Sequence, residues 1–246
     1  MKCPSFLSSP FTGQKRRHAC MACLVKNQRW RKVTKMFTTN GHKPLDETIA
    51  CTCHRRCHDM ITNCHTILHF VCYFKPSLSA VKAIVASNPR SAMQLDFKNQ
   101  YPLHIASEYG ASPDVIIHLL KQNKEAASFQ DIDGKIPLHL WIKNYYYEVG
   151  RRLDATGFYL HPEPEKLYGF LRIFYQVDPE SFSIRDAKGR TVRDHANQTI
   201  DDAFLVHAID SAINLVEQLD RYMPLSHDLA LADNSRKYHK LKTVPI

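Results

Sequence analysis

The chain repeats itself at an offset of 35 residues. One stretch runs Asp96-Phe-Lys-Asn-Gln-Tyr-Pro102-Leu103-His104-Ile-Ala-Ser, and another runs Asp131-Ile-Asp-Gly-Lys-Ile-Pro137-Leu138-His139-Leu. Shifting back by 35 sets Leu68-His69 beneath Leu103-His104. The apolar run from Val81 aligns with that from Ile116, and Ser91-Ala92 aligns with Ala126-Ala127. A fourth copy begins at Asp186, where Asp186-Ala-Lys-Gly189-Arg-Thr191 parallels Asp131-Ile-Asp-Gly134-Lys-Ile136. It follows after 55 residues rather than 35, so about 20 residues are inserted between Tyr145 and Glu165. A fixed period of this length marks units that bury their apolar faces on one another.

Each unit carries its own punctuation. Asp131-x-x-Gly134 is a turn signal, because aspartate bonds its downstream backbone and glycine accepts a positive φ. Pro102 and Pro137 suit the first turn of a helix, where a missing N–H costs nothing. Leu103, Ala106, Leu119 and Leu120 fit the apolar faces of two antiparallel helices. Gly110 predicts the end of the first helix, and Ser112-Pro113-Asp114 the start of the second. The turn glycine is replaced by Asn99, which tolerates a left-handed turn, and by Cys64, which fits it poorly. Trp141 stands where Ala106 does and is expected to spread the helices locally. Asp194 takes the histidine position of the last unit, and Phe204 to Leu219 reads as a closing amphipathic helix.

The Pro-Leu-His core after a glycine turn resembles the ankyrin repeat family. The resemblance covers about half the chain. It implies an all-α, ankyrin-type helical solenoid of about four stacked helix-turn-helix units with short hairpin loops. On this frame residues 51–225 form the repeat domain with an insert at 145–165, residues 1–50 a basic, disordered arm, and 226–246 a basic tail. The resemblance also implies that His69, His104 and His139 act as structural pegs to neighbouring backbone, and that Gly134 and Gly189 serve the turns. It implies a partner-binding face as well. Its hairpin tips would be Phe97, Lys98 and Gln100, then Ile132, Asp133 and Lys135, then Ala187, Lys188 and Arg190. Its helix face would be Glu108, Tyr109, Lys143 and Asn144. Phe97 and Tyr109 are the expected anchors, since aromatic residues dominate interface energetics. The insert, aromatic and carrying Arg151-Arg152, either loops out as a contact surface or packs Tyr145 to Tyr147 on Trp141.

Charge and thiols lie mostly outside the repeats. Residues 1–60 hold 12 Lys and Arg against 3 Asp and Glu, so the whole net charge of +9 rests there. All eight cysteines fall between Cys3 and Cys72. A secreted disulfide fold would spread them through its body, so they are read as reduced thiols in an intracellular protein. Cys20-x-x-Cys23 with Cys53 or Cys57 and His58 could supply four zinc ligands; buried Cys57, Cys64 and Cys72 are the alternative. The arm from Lys15-Arg-Arg17 to Arg29-Trp30-Arg31-Lys32 reads as a solvated tail, a nuclear or mitochondrial targeting signal, or a nucleic-acid contact with Trp30 stacking on a base.

No run approaches the roughly 18 apolar residues of a membrane span. There is no nucleophile elbow, phosphate loop or dinucleotide glycine fingerprint. Catalysis would be confined to the insert, at His161 and Glu163. The expectation is a non-catalytic, monomeric, cytoplasmic or nuclear protein-binding scaffold without a cofactor. The alternative is a zinc-stabilised nucleic-acid-binding protein using residues 1–50.

Overall fold

The computed structural model describes residues 21–39, 66–149 and 164–199, and single helical positions from His207 to Gln218. Among the described residues it is helical, without strands. The helices are α1 (Met21–Lys26), α2 (Trp30–Thr39), α3 (Ile67–Cys72), α4 (Leu78–Ser87), α5 (Pro102–Glu108), α6 (Pro113–Gln122), α7 (Pro137–Val149), α8 (Pro164–Val177) and α9 (Val192–Thr199). Short 3₁₀ turns follow α4, α6 and α8 at Pro89–Met93, Lys124–Ala127 and Pro179–Phe182. None of the described helices is long and apolar enough to cross a membrane.

The helices form two layers. In one, α3, α5, α7 and α9 each touch the next; in the other, α2, α4, α6 and α8 do the same. The shared core runs through Leu68, Ile84, Leu103, Ile116, Leu138, Leu171 and Val192, all essentially inaccessible. Burying one such aliphatic side chain contributes about 1.5–3 kcal/mol. The layers are set off from each other by local signals. Thr66 and Ser77 cap α3 and α4 with their hydroxyls. Pro102, Pro113 and Pro137 open α5, α6 and α7. Gly110 ends α5 at φ +68°, with the Ala111 N–H returning to the Ala106 carbonyl. Such a left-handed terminus requires a residue without a side-chain penalty.

Two expectations need correction. The arm was expected to be disordered through residue 50, yet residues 21–39 form α1 and α2. Met21, Leu24, Val25 and Val33 recur at helical spacing and are buried, and α2 packs on α4. Lys26, Arg29, Arg31, Lys32 and Lys35 occupy the exposed side. Basic charge and a lack of acids therefore coexist here with an apolar stripe sufficient for packing. Trp30, the candidate base-stacking residue, is partly buried against the same core. The second concerns only the bounds of the insert; of its two expected forms, the one in which Tyr145 extends the helix and packs on Trp141 is observed. Tyr145–Val149 prolong α7 and Pro164 already opens α8, leaving only residues 150–163, with His161 and Glu163, outside the described residues. Trp141 lies between its neighbours, stacked 3.9 Å from the Phe170 ring and 4.8 Å from Tyr145. The indole that replaces a small alanine is thus filled against by aromatic partners from α7 and α8.

Residues 1–20, 40–65 and 219–246, with Cys20, Cys51, Cys53, Cys57, His58 and Cys64, lie outside the described residues. Cys23 is half-buried and Cys72 fully buried, and no cluster suited to a metal ion occurs among the described residues. Beyond α9, the buried Ile213 fits the expected closing helix, and Arg193 bonds both Asp210 and Asn214.

Candidate functional site at the hairpin tips

Three hairpins precede α5, α7 and α9, and each is built on one aspartate. Asp96 Oδ1 accepts the Lys98 and Gln100 amides, Asp131 Oδ1 those of Asp133 and Lys135, and Asp186 Oδ1 those of Lys188 and Arg190, all at 2.8–2.9 Å. The loop then closes through a left-handed residue at Asn99, Gly134 or Gly189. Successive hairpins are joined by backbone. The Ile132 N–H donates to the Lys98 carbonyl at 3.1 Å, and the Ala187 N–H to the Asp133 carbonyl at 2.9 Å.

The histidines sit at the bases of these hairpins. The Tyr101 N–H donates to His104 Nδ1, while Nε2–H donates to the Phe129 carbonyl at 2.9 Å. His69 Nε2–H donates to the Gln100 carbonyl at 2.9 Å, with Nδ1 taking the Thr66 hydroxyl. Both rings have their two nitrogens committed between a helix start and the next hairpin, and in His104 the backbone N–H aimed at Nδ1 requires the neutral tautomer. His139 accepts the Ile136 N–H; its Nε2 faces the Ile184 carbonyl without closing a bond of standard length. Burial pushes His104 and His139 down to about 4. Protonating Nδ1 would, in addition, set a cation against a backbone N–H. Asp194 holds the same place in α9, accepting the Thr191 N–H and hydroxyl. A carboxylate supplies the cap but has no second nitrogen to reach a following hairpin. His195 donates instead to Asp186 Oδ2 at 2.9 Å, its ring 4.8 Å from His139.

These groups are committed to structure, which leaves a different set on the surface. Phe97 is 63% and Ile132 61% exposed, on adjacent hairpins. Lys98 is exposed, its Nζ 5.8 Å from the Phe97 ring centroid. Asp133 is exposed and paired with the partly covered Lys135 at 2.8 Å, and Lys188 is exposed on the third tip. On the helix side, Lys143 is exposed, Glu108 half-buried, and Tyr109 meets Tyr73 edge-on at 4.6 Å. Asn144 Nδ2 ties α7 to the Glu108 carbonyl.

Two candidate contact residues have their polar ends turned into the hairpins. Gln100 is 4% exposed, its Nε2 donating to Asp131 Oδ2 at 2.8 Å. Arg190 grips Asp186 Oδ2 through both Nε and Nη2. Their position in the repeat marked a tip, but the second oxygen of a buried carboxylate needs a donor, and these side chains are in reach. Asp186 shows the outcome. Burial would raise its pKa, yet the bonds from Arg190, His195 and the Lys188 amide outweigh that and hold it well below the usual carboxylate range.

The turn glycines are not equivalent. A Cβ on Gly134 would stand 2.6 Å from the Ala187 nitrogen, whereas one on Gly189 would meet nothing within 4 Å. Gly134→Ala therefore combines a left-handed strain of about 1 kcal/mol with a clash against backbone. It is expected to cost about 2–4 kcal/mol in urea unfolding, against about 1 kcal/mol for Gly189→Ala. Equal costs would contradict contact between the second and third hairpins. Compared with known proteins, no family model matches the chain and no curated protein is significantly similar to it.

Proposed function

We propose that the chain is an ankyrin-type stack of about four helix-turn-helix units acting as a non-catalytic scaffold that binds another protein along its hairpin tips. The observation that carries this reading is the division of labour within each hairpin. The aspartates, histidines, Gln100 and Arg190 are consumed in holding the tips in register, while Phe97 and Ile132 are held exposed on neighbouring tips. Rigid presentation of an aromatic and an aliphatic anchor, rimmed by Lys98, Asp133, Lys135 and Lys188, is the arrangement that makes a contact energetically productive. His69 and His104, with both ring nitrogens bonded, have none left for acid–base work, which supports the non-catalytic reading.

The test is site-specific photo-crosslinking of the full chain. A photoreactive residue at position 97 or 132 is expected to capture the same protein, and the same residue at Lys82, exposed on α4, to capture none. Ile132→Ala is expected to diminish capture from position 97 by about fivefold or more. Capture that is equal at all three positions, or absent from both tips, would overturn the reading.

A further inference from the structure

The stack of hairpins ends in an edge that is built like its interior but, among the described residues, left open. Inside, the second hairpin receives the third by three devices: the Asp133 carbonyl accepts the Ala187 N–H, Gln130 Nε2 donates to the Arg185 carbonyl at 2.8 Å, and Gly134 lies under the Asp186–Ala187 backbone. The third hairpin carries the same three devices. Lys188 stands where Asp133 does, and no donor reaches its carbonyl among the described residues. Arg185 stands where Gln130 does. Gln130 also bonds its own Gly134 carbonyl, and Arg185 Nη1 bonds its own Gly189 carbonyl at 2.7 Å; the forward bond of Gln130 has no described counterpart at Arg185. Gly189 lies open.

Charge indicates what fits. Along the tips, Lys98, Asp133 and Lys188 alternate in sign, and the carboxyl of Asp133 is held low chiefly by Lys135 with further help from Lys98 and Lys188. The next position in this alternation is an acid. A second copy of the chain would instead set Lys98 against Lys188, like charges at a site that opposite charges stabilise. Arg185, in place of a neutral glutamine, adds a second cation facing the incoming chain.

We propose that the open edge at Arg185, Lys188 and Gly189 docks an extended acidic segment of a partner protein, which adds to the hairpin stack. Its backbone N–H bonds the Lys188 carbonyl, its carbonyl or carboxylate takes the Arg185 guanidinium, and an acidic side chain lies over Lys188. Addition of a segment to an unpaired edge draws affinity from backbone bonds and specificity from side-chain positions. This inference rests on the reading of the tips as a partner surface and names the chemistry of one end of it.

The interior junction supplies the probe: a cyclised peptide with the sequence of residues 129–137, and its counterpart with lysine at the position of Asp133. The full chain, labelled with nitrogen-15, is titrated with each. The acidic peptide is expected to give saturable amide shifts at Lys188, Gly189 and Arg190, with about tenfold weaker binding of the lysine peptide. Lys188→Glu is expected to reverse that preference. Gly189→Val, which fills the open space, is expected to abolish the shifts; retained helical circular dichroism checks that this variant is folded. No saturable shifts, equal response to both peptides, or an equal response to a single-stranded oligonucleotide would overturn the assignment. If photo-crosslinks at positions 97 and 132 persist in that event, the edge assignment alone falls.

Discussion

Asp186→Ala is expected to lower stability by about 3 kcal/mol, the scale on which removing one partner of a buried charged network acts. The side chain is 1% exposed and serves two ends at once. One oxygen holds the Lys188 and Arg190 amides of the hairpin, and the other holds the Arg190 guanidinium and His195. Removal strands a guanidinium and an imidazole beside a backbone that has lost its acceptors. Asp186→Asn keeps one acceptor for the amides but loses the charge, so its cost is expected to be about half. Urea unfolding at pH 7 checks both. A cost below about 1 kcal/mol for the alanine variant would mean that the network contributes nothing beyond a surface ion pair.

The second large effect is acid sensitivity. His104 and His139 titrate near 6.5 when exposed and at about 4 in the fold. Between these values the unfolded chain binds the protons that the folded chain refuses. Their contribution is therefore complete above about pH 6.5, declines as the pH falls, and is exhausted near pH 4. Each group withdraws about 1.4 kcal/mol per pH unit inside that window. Asp186, held low, adds a further loss below its ordinary value of 3.8. Unfolding measured from pH 7.5 to 4.5 is expected to steepen below about pH 6.5 to a slope of at least two protons, since burial also lowers His118 and His195. In His104→Gln the slope should fall by about one proton, although the variant is less stable at pH 7. A stability that stays flat from pH 6.5 to 4.5 would contradict the buried, neutral state of both rings.

Much of this was legible because the sequence states it more than once. The period of 35 set Asp96 beside Asp131, and the motif marked His69, His104 and His139 as one kind of position. Turn chemistry anticipated the left-handed Asn99, Gly134 and Gly110. What stayed hidden depends on groups distant in the chain. Gln100 reads as a loop polar residue until Asp131, 31 residues on, presents its second oxygen. His195 lies outside the repeat register and gains its role only through Asp186. The helices at residues 21–39 were masked by composition, since a chain segment full of arginine and lysine reads as solvated although its apolar residues keep helical spacing. The surface character of Phe97 and Ile132 could be read from position, but their isolation from the core could not.

Amide hydrogen exchange of the full chain tests the central claim most directly. If the hairpins stack in register, the amides of Ile132 and Ala187, each donating to the preceding hairpin, exchange on the order of tenfold or more slowly than unstructured amides. Gly134→Ala should then release Ala187 while the amides of α5 remain protected. Ile132 and Ala187 exchanging at the unstructured rate, with α5 and α7 still protected, would contradict the stack and with it the tip surface that depends on it.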